Sequence, residues 1–182
     1  MTESCLPGVM EIQSQIYQDD RGNFRQLYDP LVMESLGVEK FAQSNLSSSR
    51  KNVFRGFHLQ LQPEGQGKLV HCLQGSIVDF ILDPDPGSSE FGRIQKIQLD
   101  SYSRKSVWIP GHFAHAFLSL EPDTWVVYAT SSAWNPALER AISPLSTALV
   151  NEIDFANVTM SDRDRNAPSI VSIGREISKG AV

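Results

Sequence analysis

Cysteine is scarce. Cys5 and Cys72 lie far apart with no second pair, which argues against both a disulfide framework and a thiolate zinc site. Cys72, between His71 and Leu73, reads as a small buried hydrophobe. No apolar run approaches the ~18 residues of a membrane span, and MTESCLPGVME shows no charged-then-apolar leader, so a cytoplasmic protein without a membrane partner is expected. Basic clusters are missing as well. Lys and Arg number 16 against 21 Asp and Glu, for a net charge of -5, and no arginine-aromatic cluster marks a nucleic-acid surface. The Gly-rich dinucleotide fingerprint of nicotinamide and flavin sites does not occur. With no internal repeat, low-complexity tract or linker, the 182 residues read as one domain long enough for a sizeable core.

What is present is a series of short extended segments. Gly8 to Tyr17 scatters Val9, Ile12 and Ile16 among polar residues as an opening strand does, and Asp19 to Asn23 reads as a turn. Phe24 to Tyr28 is extended. Pro30 to Leu36 is the clearest helix, with proline in its first turn and Gly37 as its stop. Phe41 to Ser49 is polar and expected at a loop or edge. Leu69 to Leu73 and Ser76 to Leu82 read as a hairpin bent at Gln74-Gly75. Ile94 to Asp100, Ser106 to Pro110, Phe113 to Leu120 and Thr124 to Thr130 follow as further strands. Strands so short and regular, with little helix, predict an all-β antiparallel sandwich or barrel. From Asn135 the rhythm is lost; Pro136 to Ile142 is read as a helical turn and Ser161 to Pro168 as a charged loop.

The stretch RGFHLQLQPEGQGK, Arg55 to Lys68, sets a histidine on a strand and returns a lysine after a polar loop. Taken singly, each side chain has an ordinary reading. His58 fits a hydrogen-bonded half-buried imidazole, Arg55 a carboxylate's partner, Lys68 a solvated hairpin residue. Tyr128 fits a core aromatic and Asp164 a surface loop. His112 and His115, in WIPGHFAHAF, would face opposite sides of a continuous strand. A metal on His58, His71 and His115 is conceivable, but the close His-x-His and carboxylate that would support it are missing.

In order along the chain, DDRGNF, FAQSN, VFRGFHLQ, QGKLV, the FG of SSEFGR, WIPGHFAHAF, the tyrosine of VVYATS and DRDRNAP resemble the dTDP-4-dehydrorhamnose 3,5-epimerase family. The resemblance implies a cupin-like antiparallel jelly-roll barrel with a few short helices, an N-terminal arm (about 1-30) and a C-terminal extension (about 135-182). It also implies a homodimer and a cofactor-independent isomerase acting on a nucleotide-activated 4-keto-6-deoxyhexose. His58 matches the family's general base, Asp164 the carboxylate behind it, Lys68 the lysine of Q-x-K-L and Tyr128 the tyrosine of Y-K-x-T. Gln43, Asn45, Arg55 and His115 match substrate-pocket positions, Arg21 and Phe24 an arm that contacts nucleotide, often across the dimer.

Proton abstraction beside a ketone explains these residue types. A base must take the proton, a cation must hold the enolate oxygen, and an acid must deliver a proton to the opposite face. His58, Lys68 and Tyr128 suit those roles, with neither metal nor redox cofactor required. The chain departs from the family at Gln26, Leu46, His71, Asp83-Pro84-Asp85 and Ala129 to Ser131, and Ala133-Trp134 replaces an aromatic pair, leaving Trp134 to stack on a base or sugar. Alternatives are a mono-epimerase or keto-isomerase on a CDP- or GDP-linked deoxysugar, a non-catalytic sugar-nucleotide-binding cupin and, from another class, a metal-dependent cupin oxygenase.

Overall fold

The computed structural model describes residues 1-180. Among them the strands are β1 (Thr2–Glu3), β2 (Met10–Gln13), β3 (Ile16–Asp19), β4 (Gly22–Arg25), β5 (Gln43–Ser49), β6 (Phe54–Gln60), β7 (Lys68–Gln74), β8 (Ser76–Leu82), β9 (Ile94–Asp100), β10 (Lys105–Ile109), β11 (Ala114–Ser119), β12 (Thr124–Thr130) and β13 (Glu139–Ala141). The α-helices are α1 (Pro30–Ser35), α2 (Asp162–Arg165) and α3 (Ile170–Gly180). A six-stranded sheet, β1-β2-β10-β7-β12-β5, faces a five-stranded sheet, β13-β6-β11-β8-β9, and β3-β4 forms a separate hairpin. All these ladders are antiparallel, as expected of a cupin-like jelly roll.

Alternation fills the space between the sheets. Val70 and Cys72 on β7, Ile77 and Ile81 on β8, Ile97 and Leu99 on β9, and Val107 and Ile109 on β10 form one apolar cluster. Each fully buried aliphatic side chain there contributes about 1.5 to 3 kcal/mol. A second cluster lies on the outer face of the five-stranded sheet, where Phe54, Phe57, Phe80 and Leu82 meet Ile142, Leu149, Phe155, Ile170 and Ile173 from the C-terminal segment. The α1 helix, capped by the Asp29 carboxylate accepting from Leu31 N–H at 2.9 Å, buries Met33 against Leu69 and Trp108 of the six-stranded sheet.

Several local expectations are corrected. The segments expected to form a hairpin across Gln74-Gly75 do not pair; β7 and β8 belong to different sheets, and the chain crosses between them at Gly75. That glycine has φ +72°, and a Cβ there would stand 2.6 Å from Thr124 Oγ1. The polar segment does lie at an edge, but as a strand: β5, residues 43-49, closes one side of the six-stranded sheet, and its polar inward residues serve a polar cavity. The opening segment divides into β2 and β3, of which only β2 joins a main sheet. Residues 136-142 contain a turn and β13 rather than a helical turn, and the charged loop at 161-168 contains α2, capped by Ser161 accepting from Asp164 N–H at 3.1 Å. The α3 helix was not anticipated; its apolar face, Ile170 and Ile173, covers the outside of the barrel.

Candidate active site

Between the two sheets, beyond the apolar cluster, lies a cavity of about 820 Å³. It receives Gln43, Asn45, Ser47 and Ser49 from β5, alternate residues of one strand, and Lys68 and Tyr128 from β7 and β12. The opposite sheet supplies Arg55, His58, Gln60, His115 and Phe117. Arg55 and His58 share the cavity although three-residue spacing on a regular strand would turn them to opposite faces. The register explains it: His115 pairs with His58 and Phe117 with Arg55, so Gly56 and Phe57 together oppose Ala116 in a bulge. Gly56 has φ +115°, and a Cβ on it would lie 2.5 Å from the His115 carbonyl oxygen.

His58 Nε2 is 2.7 Å from Asp164 Oδ1, and Gly56 N–H donates to Oδ2 at 3.3 Å. Asp164 is 3 % exposed. Burial pushes this carboxyl up, but the hydrogen bonds from His58, Gly56 and the Ser161 hydroxyl outweigh it and hold the group below the ordinary aspartate value. The carboxylate accepts the Nε2 proton and leaves Nδ1 as the free basic edge of the ring.

On the facing sheet Lys68 is buried, its ammonium donating to the Gln66 carbonyl at 3.2 Å. Burial lowers it to about 8 against a smaller opposing pull from Glu139. The Tyr128 phenol is raised by burial, with Arg55 acting in the opposite sense and Glu139 in the same sense. Arg55 is oriented by the Ser49 hydroxyl and the Ser48 carbonyl, both at 3.0 Å. Gln43 Nε2 donates to Asn45 Oδ1 at 2.7 Å, and Gln43 Oε1 accepts from Trp134 N–H at 3.0 Å. The half-exposed Trp134 indole N–H donates to Glu139, which also pairs with Arg163 at 3.0 Å.

Nine of the eleven candidate residues therefore border one cavity: His58, Lys68, Tyr128, Asp164, Gln43, Asn45, Arg55, His115 and Trp134. Arg21 and Phe24 do not. They sit on the β3-β4 hairpin, where Arg21 pairs with Asp19 at 2.5 Å and Phe24 is exposed, its ring centroid 6.4 Å from that of Tyr17. His71 is buried on the other face of β7 beside Leu27, Tyr28 and Phe41, so it joins neither His58 nor His115. Among the described residues no group of three His, Cys, Asp or Glu side chains is arranged to hold a metal ion. Sequence reasoning missed Gln60, Gln66, Glu139 and Arg163 in the cavity wall, and Asp79 behind it. Only Asp79 carried a signal, an acid flanked at two-residue spacing by Ile77 and Ile81.

Comparison with known proteins gives a consistent result. The family profile described as dTDP-4-dehydrorhamnose 3,5-epimerase matches residues 3–172. A Shigella flexneri dTDP-4-dehydrorhamnose 3,5-epimerase is 33% identical over 168 residues, covering 91% of this chain and 93% of the relative. The crystal structure of the Legionella pneumophila dTDP-6-deoxy-D-glucose-3,5-epimerase with dTDP-4-keto-L-rhamnose superposes with a TM-score of 0.86 at 32% identity, covering 96% of this chain and 94% of the other. A 3'-monoepimerase from Streptomyces bikiniensis in complex with dTDP-quinovose gives 0.87 at 30% identity, covering 97% and 90%.

Proposed function

The chain belongs to the dTDP-4-dehydrorhamnose 3,5-epimerase family, and from that premise we propose that it inverts one or both carbons beside the ketone of a dTDP-linked 4-keto-6-deoxyhexose, with His58 as base and Tyr128 as acid. The protein is an isomerase. The observation that carries the residue assignment is the cavity itself: a carboxylate-held imidazole on one sheet and a phenol and an ammonium group on the other border a single open-mouthed cavity.

His58, held by Asp164, takes the proton beside the ketone. Negative charge moves to the ketone oxygen, where Lys68 is worth most because the charge develops only as the proton leaves. Tyr128 returns a proton from the other face, and repetition at the second carbon gives the double epimer. Both transfers are proton movements, so the scheme consumes no oxidant or reductant. Arg55, Gln43 and Asn45 receive the nucleotide portion and Trp134 stacks on its base. Arg21 and Phe24 reach a nucleotide only from a second copy.

Leu46 and Trp125 are exposed on the outer face of the six-stranded sheet, next to a groove of about 360 Å³ walled by Leu27, Tyr28, Phe41 and Val127. A second copy of the chain covering that face makes a homodimer. Sedimentation velocity is expected to give about twice the chain mass; a monomer at micromolar concentration removes the dimer from the reading. We infer a cytoplasmic location; no helix among the described residues is long and apolar enough to cross a membrane.

In deuterated water with a dTDP-4-keto-6-deoxyhexose, the enzyme is expected to wash deuterium into C3, C5 or both. Proton spectra of the product then separate double from single inversion, an outcome the monoepimerase neighbour makes a specific second reading. No exchange with any thymidine-linked 4-keto sugar contradicts the reading.

A further inference from the structure

The ammonium of Lys68 is held from outside the cavity. Lys68 is 6 % exposed, and the one hydrogen bond its ammonium makes among the described residues goes to the Gln66 carbonyl, 3.2 Å away. No cavity side chain bonds to it, and Glu139 acts on it only through charge. Two of its three protons are left for a substrate. A charge buried on a single neutral acceptor depends on where that acceptor points. The carbonyl belongs to the peptide unit joining Gln66 to Gly67, and the N–H of the same unit donates to Ser131 Oγ at 2.9 Å. In a trans peptide these two groups point in opposite directions, so whatever fixes the N–H also aims the carbonyl.

Gly67 is the reason the peptide needs fixing. A Cβ there would overlap the Trp108 ring, so only glycine fits, and glycine leaves the adjoining peptide free to rotate. The unit also lies just past the end of the β7-β12 ladder, whose last pair is Lys68 with Thr130. Beyond that pair Ser131 N–H donates to the Gly67 carbonyl at 2.9 Å, and the buried Gln66 side-chain amide donates to the Ser132 carbonyl at 3.0 Å. Neither bond engages the Gly67 N–H. Ser131 borders a separate hollow with Gly67 and Trp108 and not the catalytic cavity, so its hydroxyl is placed to act on the peptide and not on a substrate. We propose that Ser131 is a positioning residue: its hydroxyl oxygen holds the Gln66-Gly67 peptide with the carbonyl toward Lys68, and so keeps the ammonium where the enolate oxygen forms. The inference rests on the epimerase reading and adds to it a residue that acts through Lys68.

The test compares Ser131→Ala with Ser131→Thr, which keeps the accepting oxygen. With a dTDP-4-keto-6-deoxyhexose in deuterated water, Ser131→Ala is expected to lose roughly tenfold in kcat with KM little changed, because the ammonium serves the transition state. A hydrogen bond from the ammonium favours its charged form. Losing it is expected to move the alkaline limb of the exchange rate, at about 8 in wild type, down by about half a pH unit. Ser131→Thr is expected to keep the wild-type limb, and a limb displaced as in Ser131→Ala overturns the assignment. Slowing of Ser131→Ala with its limb in place, or no slowing, makes the residue merely structural and overturns the inference. Two readings need no turnover. Nitrogen-15 titration of the Lys68 ammonium in substrate-free protein is expected to show the same downward displacement in Ser131→Ala, and an unmoved titration overturns the inference. Amide hydrogen exchange on wild type alone is expected to find the Gly67 N–H protected although it lies outside the ladder; a freely exchanging amide overturns the inference whether or not the variants fold. Failure of these substrate-free readings sinks this inference alone, whereas absence of deuterium uptake by the sugar in wild type sinks the epimerase reading beneath it.

Discussion

The catalytic assignment turns on how burial treats each acid and base. Lys68 is the most exposed to this logic, because its ammonium is buried on a single carbonyl contact and is lowered to about 8. Below that pH it is charged and can hold the enolate oxygen; above it the charge is lost. The rate of proton exchange is therefore expected to fall as pH rises through about 8, a limb that kcat profiles between pH 7 and 10 detect. Lys68→Met is expected to lose 100-fold or more in kcat and to lack that limb, the size being that of one removed oxyanion donor. A flat alkaline profile in wild type contradicts the role given to Lys68. The sequence disclosed the residue types, since R-G-x-H, the lysine ten residues after its histidine and the tyrosine could be matched to a family. Asp79 and Glu139 went unseen for a physical reason. Each works through contacts with residues 36 or 24 positions away, Asp79 with His115 and Glu139 with Arg163, and no local pattern records such pairings.

Strands fix the site's geometry through one irregularity. The bulge in β6 lets Arg55 and His58 share a face, and Gly56 makes the bulge possible by its positive φ and its closeness to the β11 backbone. Gly56→Ala is expected to destabilise the fold by about 3 kcal/mol, through backbone strain and the forced retreat of β11, and to separate His58 from Asp164. Urea titration and exchange assays measure the two effects; a variant of unchanged midpoint and rate shows that the bulge tolerates a side chain. Local pattern made β12 readable as strand-length text between turns, and α1 readable from its proline start and glycine stop. It failed at β7 and β8, which are buried on both faces, because continuous apolar runs with a glycine between them describe a hairpin and a crossover equally well. At β5 the edge position was legible but the strand was not, because its inward positions are polar and face the cavity rather than the core.

At the scale of the molecule, two sheets enclose an apolar layer at one end and a polar cavity at the other, and the C-terminal segment seals the outer face while delivering Asp164 to His58. The sheet architecture was legible because strand-sized segments and turns recur throughout the chain. The wrapping of residues after 135 was not, because short turns and α3 are stabilised by the surface they cover. His71 links this packing to pH. It is buried with an unpartnered Nδ1, and burial, aided by the nearby Arg25 charge, lowers it to about 4. The unfolded chain binds a proton near pH 6.5 that the folded chain refuses until about pH 4, so stability falls as pH drops through that window, by up to about 3 kcal/mol. His71→Leu is expected to flatten the decline in Tm between pH 7 and pH 5; an unchanged slope assigns the acid sensitivity to other groups.

The most direct test separates base from acid. In deuterated water His58→Asn is expected to abolish exchange at both carbons, whereas Tyr128→Phe is expected to keep exchange at the base-facing proton while accumulating no inverted sugar. Undiminished exchange in the His58 variant, or normal inversion without the Tyr128 hydroxyl, contradicts the opposed imidazole and phenol on which the account rests.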